Sequence, residues 1–394
     1  MKKLLLGLQN SAMKNNKFET QCVHEGQLKD TLYKGAISPL YMATAYSYEE
    51  TDRYPRYFNT PNQVGLAEKI AALEGAERGL IFGSGMAAIS TALLAFLKKG
   101  DHVVLQNDLY GGTTNLVVEH FENYGIEYSF TEGLSAHDFE AKIQANTKVL
   151  YVESPSNPLM KIVDLEAIAH LAKNNSLVSM IDNTFASPVN QNPIAFGIDI
   201  VLHSATKYLG GHSDILAGAV ACSSAHMEKI FAVAKSLGGN LSDLSIWLLE
   251  RSIKTLSIRV RQQNENALTL ASYLEQHHAI EKVHYPGLSS HPDHSLAKQQ
   301  MKGFTGMMSF ALKANIHRTT FEKSLKIIQP VVSLAGVEST ITIPAITSHK
   351  LLTPEGRKKQ GITDQLVRFS VGIEHVEDLI NDLNQALEGA ANEG

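Results

Sequence analysis

Apolar and polar residues change period along the chain, and each change marks out an element. Short apolar runs at 79–82, 102–106, 148–152, 177–181 and 198–202 end in glycine or polar residues, the pattern of buried strands. Between the first two, Ile89, Leu93, Leu94 and Leu97 recur at helical spacing. That helix is predicted to begin near Ser84 and to stop at Lys98-Lys99-Gly100, cations and a glycine where a C-terminus favours them. A long helix is predicted over 257–276. Residues 1–60 lack strong periodicity and read as an arm. From 61 to 255 strands alternate with helices, which predicts an open α/β domain with a mostly parallel sheet and ligands at its carboxyl edge. Residues 256–394 read as a smaller α+β domain, and there is no internal repeat.

Chemistry collects at the strand ends. Ile200-Val201-Leu202-His203-Ser204-Ala205-Thr206-Lys207-Tyr208-Leu209-Gly210-Gly211-His212 carries an apolar run into hydroxyls, one lysine and glycines. Desolvation there lowers the pKa of a lysine, and an amine that sheds its proton near neutrality can condense with an aldehyde. Ser204 and Thr206, two apart, are expected on one side of an extended chain as donors to an anion. Asp182 stands at the tip of the 177–181 run, where a carboxylate can keep a pyridine nitrogen protonated. Gly83-Ser84-Gly85-Met86 joins a strand to a helix whose first amides suit a phosphate. Asn157, in the double-proline loop Glu153-Ser154-Pro155-Ser156-Asn157-Pro158, can donate to a phenolic oxygen, and Tyr110 beside Gly111-Gly112 can stack on a flat ring. Aldehyde, phosphate and pyridine together describe pyridoxal 5'-phosphate (PLP). The same glycines fit G-x-G-x-x-A with Asp108 after the next strand, so an NAD-binding Rossmann oxidoreductase is a rival, although it leaves Lys207, Ser204 and Thr206 without a task. A P-loop fits less well, because no Gly-Lys-Ser/Thr follows.

Taken together, these stretches resemble the transsulfuration (Cys/Met metabolism) family of PLP-dependent enzymes, the cystathionine synthases and lyases, methionine γ-lyase and the acylhomoserine sulfhydrylases. Thr20-Gln21-Cys22-Val23-His24-Glu25-Gly26, Ile37-Ser38-Pro39-Leu40-Tyr41, Tyr285-Pro286-Gly287-Leu288, His291-Pro292 and Gly303-Phe304 are similar to further landmarks of that family, over about residues 18–388. The resemblance implies the PLP-dependent transferase-like fold, aspartate aminotransferase-like and of fold type I. It makes Lys207 the Schiff-base lysine, Asp182 the partner of the pyridine nitrogen and Tyr110 the stacking ring. Gly85, Met86, Ser204 and Thr206 would hold the phosphate. Tyr54-Pro55-Arg56 looks like the family's Tyr-Ser-Arg, whose tyrosine and arginine reach a neighbouring subunit's phosphate. That implies active sites shared within a homotetramer, with Tyr54 also near substrate. Arg368 in 367–374 and Ser333 in 332–339 resemble the residues that hold the substrate α-carboxylate.

The reaction implied begins when a substrate amino acid displaces Lys207, which then takes the Cα proton while Asp182 keeps the ring nitrogen protonated. Tyr110 is the expected acid for a departing sulfur. Elimination from Cβ yields pyruvate and ammonia, and elimination from Cγ yields 2-oxobutyrate. Val332 stands where many γ-synthases and cystathionine γ-lyases have glutamate, which is similar to methionine γ-lyase, yet Gly112 stands where that enzyme has cysteine. Asn115 and Arg53 also depart from some cystathionine γ-lyases. The expected function is therefore a carbon–sulfur lyase of cystathionine, methionine or a related thioether, with γ-replacement on an acylated homoserine as the alternative.

Composition fits such an enzyme. The 394 residues are 44% hydrophobic with a net charge of −5, which leaves no basic footprint for nucleic acid. No apolar stretch nears the roughly 20 residues of a membrane span. Cys22 and Cys222 form no CxxC, which suits a reducing cytoplasm. Of sixteen histidines, His284, His291 and His294 come nearest to a cluster, without the spacing of metal ligands, so no metal is expected. The opening Met1-Lys2-Lys3-Leu4-Leu5-Leu6-Gly7-Leu8 imitates a secretory signal with too short an apolar core, and Met13 is a possible start.

Overall fold

The protein's structure is a computed structural model that describes residues 16–348, 350 and 353–391; the signal-like opening and the candidate start at Met13 lie outside them. Seven strands form the first sheet: β1 (Arg78–Phe82), β2 (His102–Leu105), β3 (Glu127–Phe130), β4 (Thr147–Glu153), β5 (Val178–Asp182), β6 (Ile200–His203) and β7 (Gly218–Cys222). Their order is β1-β7-β6-β5-β4-β2-β3. The pairs among β2 to β6 are parallel, and β7 runs antiparallel to both β1 and β6.

The central strands are apolar on both faces because both faces are covered. Val104, Leu150, Val152, Ile181 and Val201 pack into one core, while Val103, Leu105, Tyr151, Met180 and Leu202 pack into another. The five strand runs read from the sequence all appear, with ends shifted by one or two residues. One shift matters: β5 continues through Asp182, because that residue still pairs with Glu153 on β4 and Leu202 on β6. The helix Gly85–Phe96 starts at the expected place, its N-cap Ser84 accepting from the Ala87 amide at 3.0 Å. Residues 16–60 hold one short helix, Phe18–His24, and a turn at Pro55–Tyr57, with Tyr33 and Tyr48 85% and 90% exposed.

A second sheet contains β8 (Ile280–His284), β9 (Met307–Leu312), β10 (Gln329–Pro330), β11 (Thr340–Thr342) and β12 (Leu366–Ser370), in the order β10-β11-β12-β9-β8. Only β10 and β11 are parallel. The predicted long helix spans Leu256–Gln276 and serves both cores: Leu256 and Val260 pack with the first sheet, Leu270 and Leu274 with the second. The fold is thus α/β with a mostly parallel large sheet and a smaller sheet beside it. Among the described residues no helix is long and apolar enough to cross a membrane.

Candidate active site

The chain bends immediately after β6. The Lys207 amide donates to Ser204 O at 3.0 Å and the Gly211 amide to Lys207 O at 2.7 Å, so the lysine sits in a tight turn. Ser204 and Thr206 therefore do not share one side of an extended strand. The Thr206 hydroxyl is held by Ala217, donating to its carbonyl at 3.2 Å and accepting from its amide at 3.0 Å. Gly211 has φ +68, and the buried Arg259 guanidinium occupies the place of its missing side chain. Arg259 donates to Tyr208 O and Ser252 O at 3.0 and 3.1 Å, clamping the lysine loop to the long helix. Lys207 Nζ donates to Ser333 Oγ at 3.2 Å. Burial, helped by Arg368 and opposed by Asp182, lowers its pKa to about 8, so a usable fraction is neutral near physiological pH.

Two carboxylates stand side by side at the next strand ends, since Glu153 pairs in register with Asp182. Burial raises the pKa of Asp182, while Thr184, His203 and Lys207 pull it back, and the Thr184 amide donates to Oδ1 at 3.0 Å. Glu153 is pushed well up, first by burial and then by Asp182. It accepts from the amides of Tyr110 at 2.7 Å and Asn157 at 3.1 Å, which ties the aromatic and the amide of the site to one side chain. The sequence reading gave Glu153 no role; two adjacent parallel strands both ending in acids were the signal available.

Across from this edge, Arg368 on β12 is buried, and burial lowers its pKa to about 10 against the pull of Glu153 and Tyr110. Its Nη1 donates to Asn157 Oδ1 at 3.1 Å and its Nη2 to Ser333 O at 3.5 Å, both neutral acceptors. A buried guanidinium bonded to neutral groups retains its charge for an incoming carboxylate. The bond to Oδ1 also assigns the Asn157 amide, leaving its NH₂ as the free donor.

The glycine turn is built for close approach. Helix geometry leaves the Gly85 and Met86 amides without intrahelical acceptors, and a Cβ on Gly85 would lie 2.9 Å from Ser204 Cβ. Gly112 similarly makes room for the Tyr110 ring and Met86 Sδ. Tyr110 is 45% exposed. Tyr54 and Arg56 stand apart from these contacts: Arg56 lies against the Tyr54 and Tyr57 rings and donates to Lys235 O at 2.7 Å, and the Tyr54 amide donates to Asn59 Oδ1.

Bare helix amides beside a serine, a low-pKa amine, a buried carboxylate, an amide donor and a half-exposed ring are a donor set that fits PLP. The nucleotide alternative fits poorly. Its glycine turn follows an edge strand that pairs antiparallel with β7, and Asp108 is engaged by Ser156, Gln106 and Lys161 rather than free for a ribose. Among the described residues the one trio of close potential metal ligands is His277, His278 and Glu388. The Ala279 amide donates to His277 Nδ1 at 3.2 Å, which leaves the proton on Nε2, the nitrogen facing Glu388, and so disfavours a metal there.

Residues 19–388 match the family described as Cys/Met metabolism PLP-dependent enzymes. The chain is 43% identical over 378 residues to cystathionine gamma-lyase of Bacillus subtilis, covering 94% of this chain and 99% of that one. It is 41% identical over 376 residues to cystathionine beta-lyase of Lactococcus lactis subsp. cremoris, covering 94% and 98%. A crystal structure of cystathionine gamma-lyase from Lactobacillus plantarum complexed with L-serine is similar with a TM-score of 0.92 at 39% identity, covering 95% of this chain and 99% of that one.

Proposed function

The chain belongs to the family of Cys/Met metabolism PLP-dependent enzymes, and from that premise we propose that it is a carbon–sulfur lyase that cleaves cystathionine or a closely related thioether amino acid. One observation supports this most: Lys207 Nζ lies 3.2 Å from Ser333 Oγ, and Arg368 bonds the same serine's carbonyl, so a base and a carboxylate clamp meet at one residue. The bound cofactor supplies the electron sink that makes a Cα–H bond acidic.

Arg368 and Ser333 hold the substrate carboxylate and so present Cα to Lys207. Lys207 would be the attachment point of the cofactor and, with its amine free, would take the Cα proton on Nζ; for γ-elimination the same amine would also serve Cβ. Asp182 would hold a proton at the pyridine nitrogen. Gly85, Met86 and Ser204 would hold the phosphate, with Thr206 available if its hydroxyl turns from Ala217. The Asn157 NH₂ would donate to the ring oxygen. Tyr110 would stack on the ring and supply a proton to the leaving sulfur. Val332, beside Ser333, is apolar and 76% exposed, so it offers no charge to a bound side chain.

Tyr54 and Arg56 act on a neighbouring subunit's cofactor and substrate in a homotetramer, and the unpaired Cys22 and Cys222 suit a cytoplasmic enzyme. The test feeds cystathionine, methionine and O-acetylhomoserine plus a thiol separately. Keto acid and ammonia from cystathionine are expected; replacement product in excess over keto acid overturns the reading.

A further inference from the structure

Behind the strand ends, on the sheet face away from Asp182, lies a second polar cluster with no part in the chemistry above. Asp182 and Leu202 pair in register, so the alternation of side chains sends Asn183 and His203 to the opposite face. There both meet Glu74, the last residue of the helix Pro61–Glu74. His203 Nε2 lies 2.6 Å from Glu74 Oε1, and Asn183 Nδ2 donates to the same oxygen at 3.1 Å. Gln191 extends the chain of bonds, its Nε2 donating to Asn183 Oδ1 at 2.9 Å and to Ser154 O at 3.0 Å. Three adjacent strand ends, those of β4, β5 and β6, are thereby stitched together from behind. Their front sides carry Asn157, Asp182 and Lys207.

Glu74 is an unfavourable choice for a mere strut. It is 1% exposed, sits at the negative end of a helix dipole and leaves Oε2 buried without a hydrogen-bond partner. A glutamine there could accept the same two bonds on Oε1 and avoid burying a charge. The feature that only the glutamate provides is its negative charge, and the group placed to respond is the buried His203 ring.

We propose that Glu74 is a positioning residue of the cofactor site, whose carboxylate fixes the His203 ring behind Asp182 and ties the ends of β5 and β6 together. Asp182 is otherwise pushed towards its neutral form by its own burial; Glu153 stands beside it in register, with Tyr151 on the same face of β4. The groups that favour its carboxylate are Thr184, Lys207 and His203. Once Lys207 is committed to the cofactor its charge is no longer assured, and Thr184 and His203 remain to favour the carboxylate.

This inference rests on the PLP reading, and the two fail differently. Holoenzyme is titrated by its visible absorption, with no substrate present, as wild type, Glu74→Gln and His203→Gln. Removing the carboxylate weakens the hold of Asp182 on the ring proton, so the midpoint of the absorption change is expected to rise by about 0.5 pH unit or more. PLP should bind roughly 3- to 10-fold more weakly, while KM for substrate stays near wild type. The double variant should shift no further than either single variant. A Glu74→Gln enzyme with lowered Tm but unchanged midpoint and PLP affinity overturns the proposal and leaves Glu74 a strut. If neither variant folds, Glu74→Asp, which draws the carboxylate back by one methylene, decides: a shifted midpoint with weaker PLP binding supports the proposal, and wild-type values for both contradict it. A wild-type protein with no visible band would instead sink the cofactor reading itself.

Discussion

The seven-stranded edge and the five-stranded edge build one site by different means. On the first, Asp182, Ser204 and Lys207 hang from parallel strand ends, and nearly every neighbouring backbone group is bonded: the lysine turn, the Arg259 clamp and the Thr206–Ala217 exchange hold one shape. On the second, Arg368 projects from an antiparallel strand into a space bounded by neutral acceptors, beside an exposed loop carrying Val332. In the proposed function the first edge is a rigid mould for a cofactor that stays, and the second an unfilled charge for a substrate that comes and goes.

That contrast can be broken by substitutions on either side. Lys207→Ala has the largest expected effect, a loss of turnover of at least about 10⁴-fold in steady-state assays, because base and attachment point vanish together. Arg368→Ala should raise KM by about 30- to 100-fold, the roughly 2–3 kcal/mol of a charge-assisted bidentate contact, while the cofactor band stays as in wild type. A lost band in Arg368→Ala would mean the two edges are not separable. Gly85→Ala should do the reverse, weakening PLP binding by about tenfold in equilibrium titrations with little change in KM, since the new Cβ would lie 2.9 Å from Ser204 Cβ.

The pH dependence sharpens the same point with a smaller effect. The Lys207 pKa is depressed to about 8, so its reactive neutral form grows as pH rises through that value and is complete above it. Capture of PLP by apoenzyme should therefore speed up about fivefold from pH 7 to pH 8 and level off near pH 9. Stopped-flow rates still climbing at pH 10 would show a lysine of ordinary basicity.

Much of the first edge was legible in the sequence because local patterns write it. The 200–212 stretch, the Ser84 cap with its glycines and the strand ending at Asp182 are each read from a few consecutive residues. The second edge was less so: nothing local distinguishes Arg368 from a surface arginine, and only the resemblance singled it out. Glu74, Glu153 and Arg259 were not found at all. Each has at least one partner 43 to 129 residues away along the chain, so register and helix packing, not spacing alone, bring them in. The extended Ser204–Thr206 geometry failed because the chain turns directly after β6, with the Lys207 amide bonded back to Ser204 O.

Reduction of the holoenzyme with borohydride, followed by digestion and mass spectrometry, is the most direct test. The account predicts a single reduced pyridoxyl phosphate adduct, on the peptide that contains Lys207, with the visible band bleached in step. An adduct on another lysine, or none at all, would contradict it.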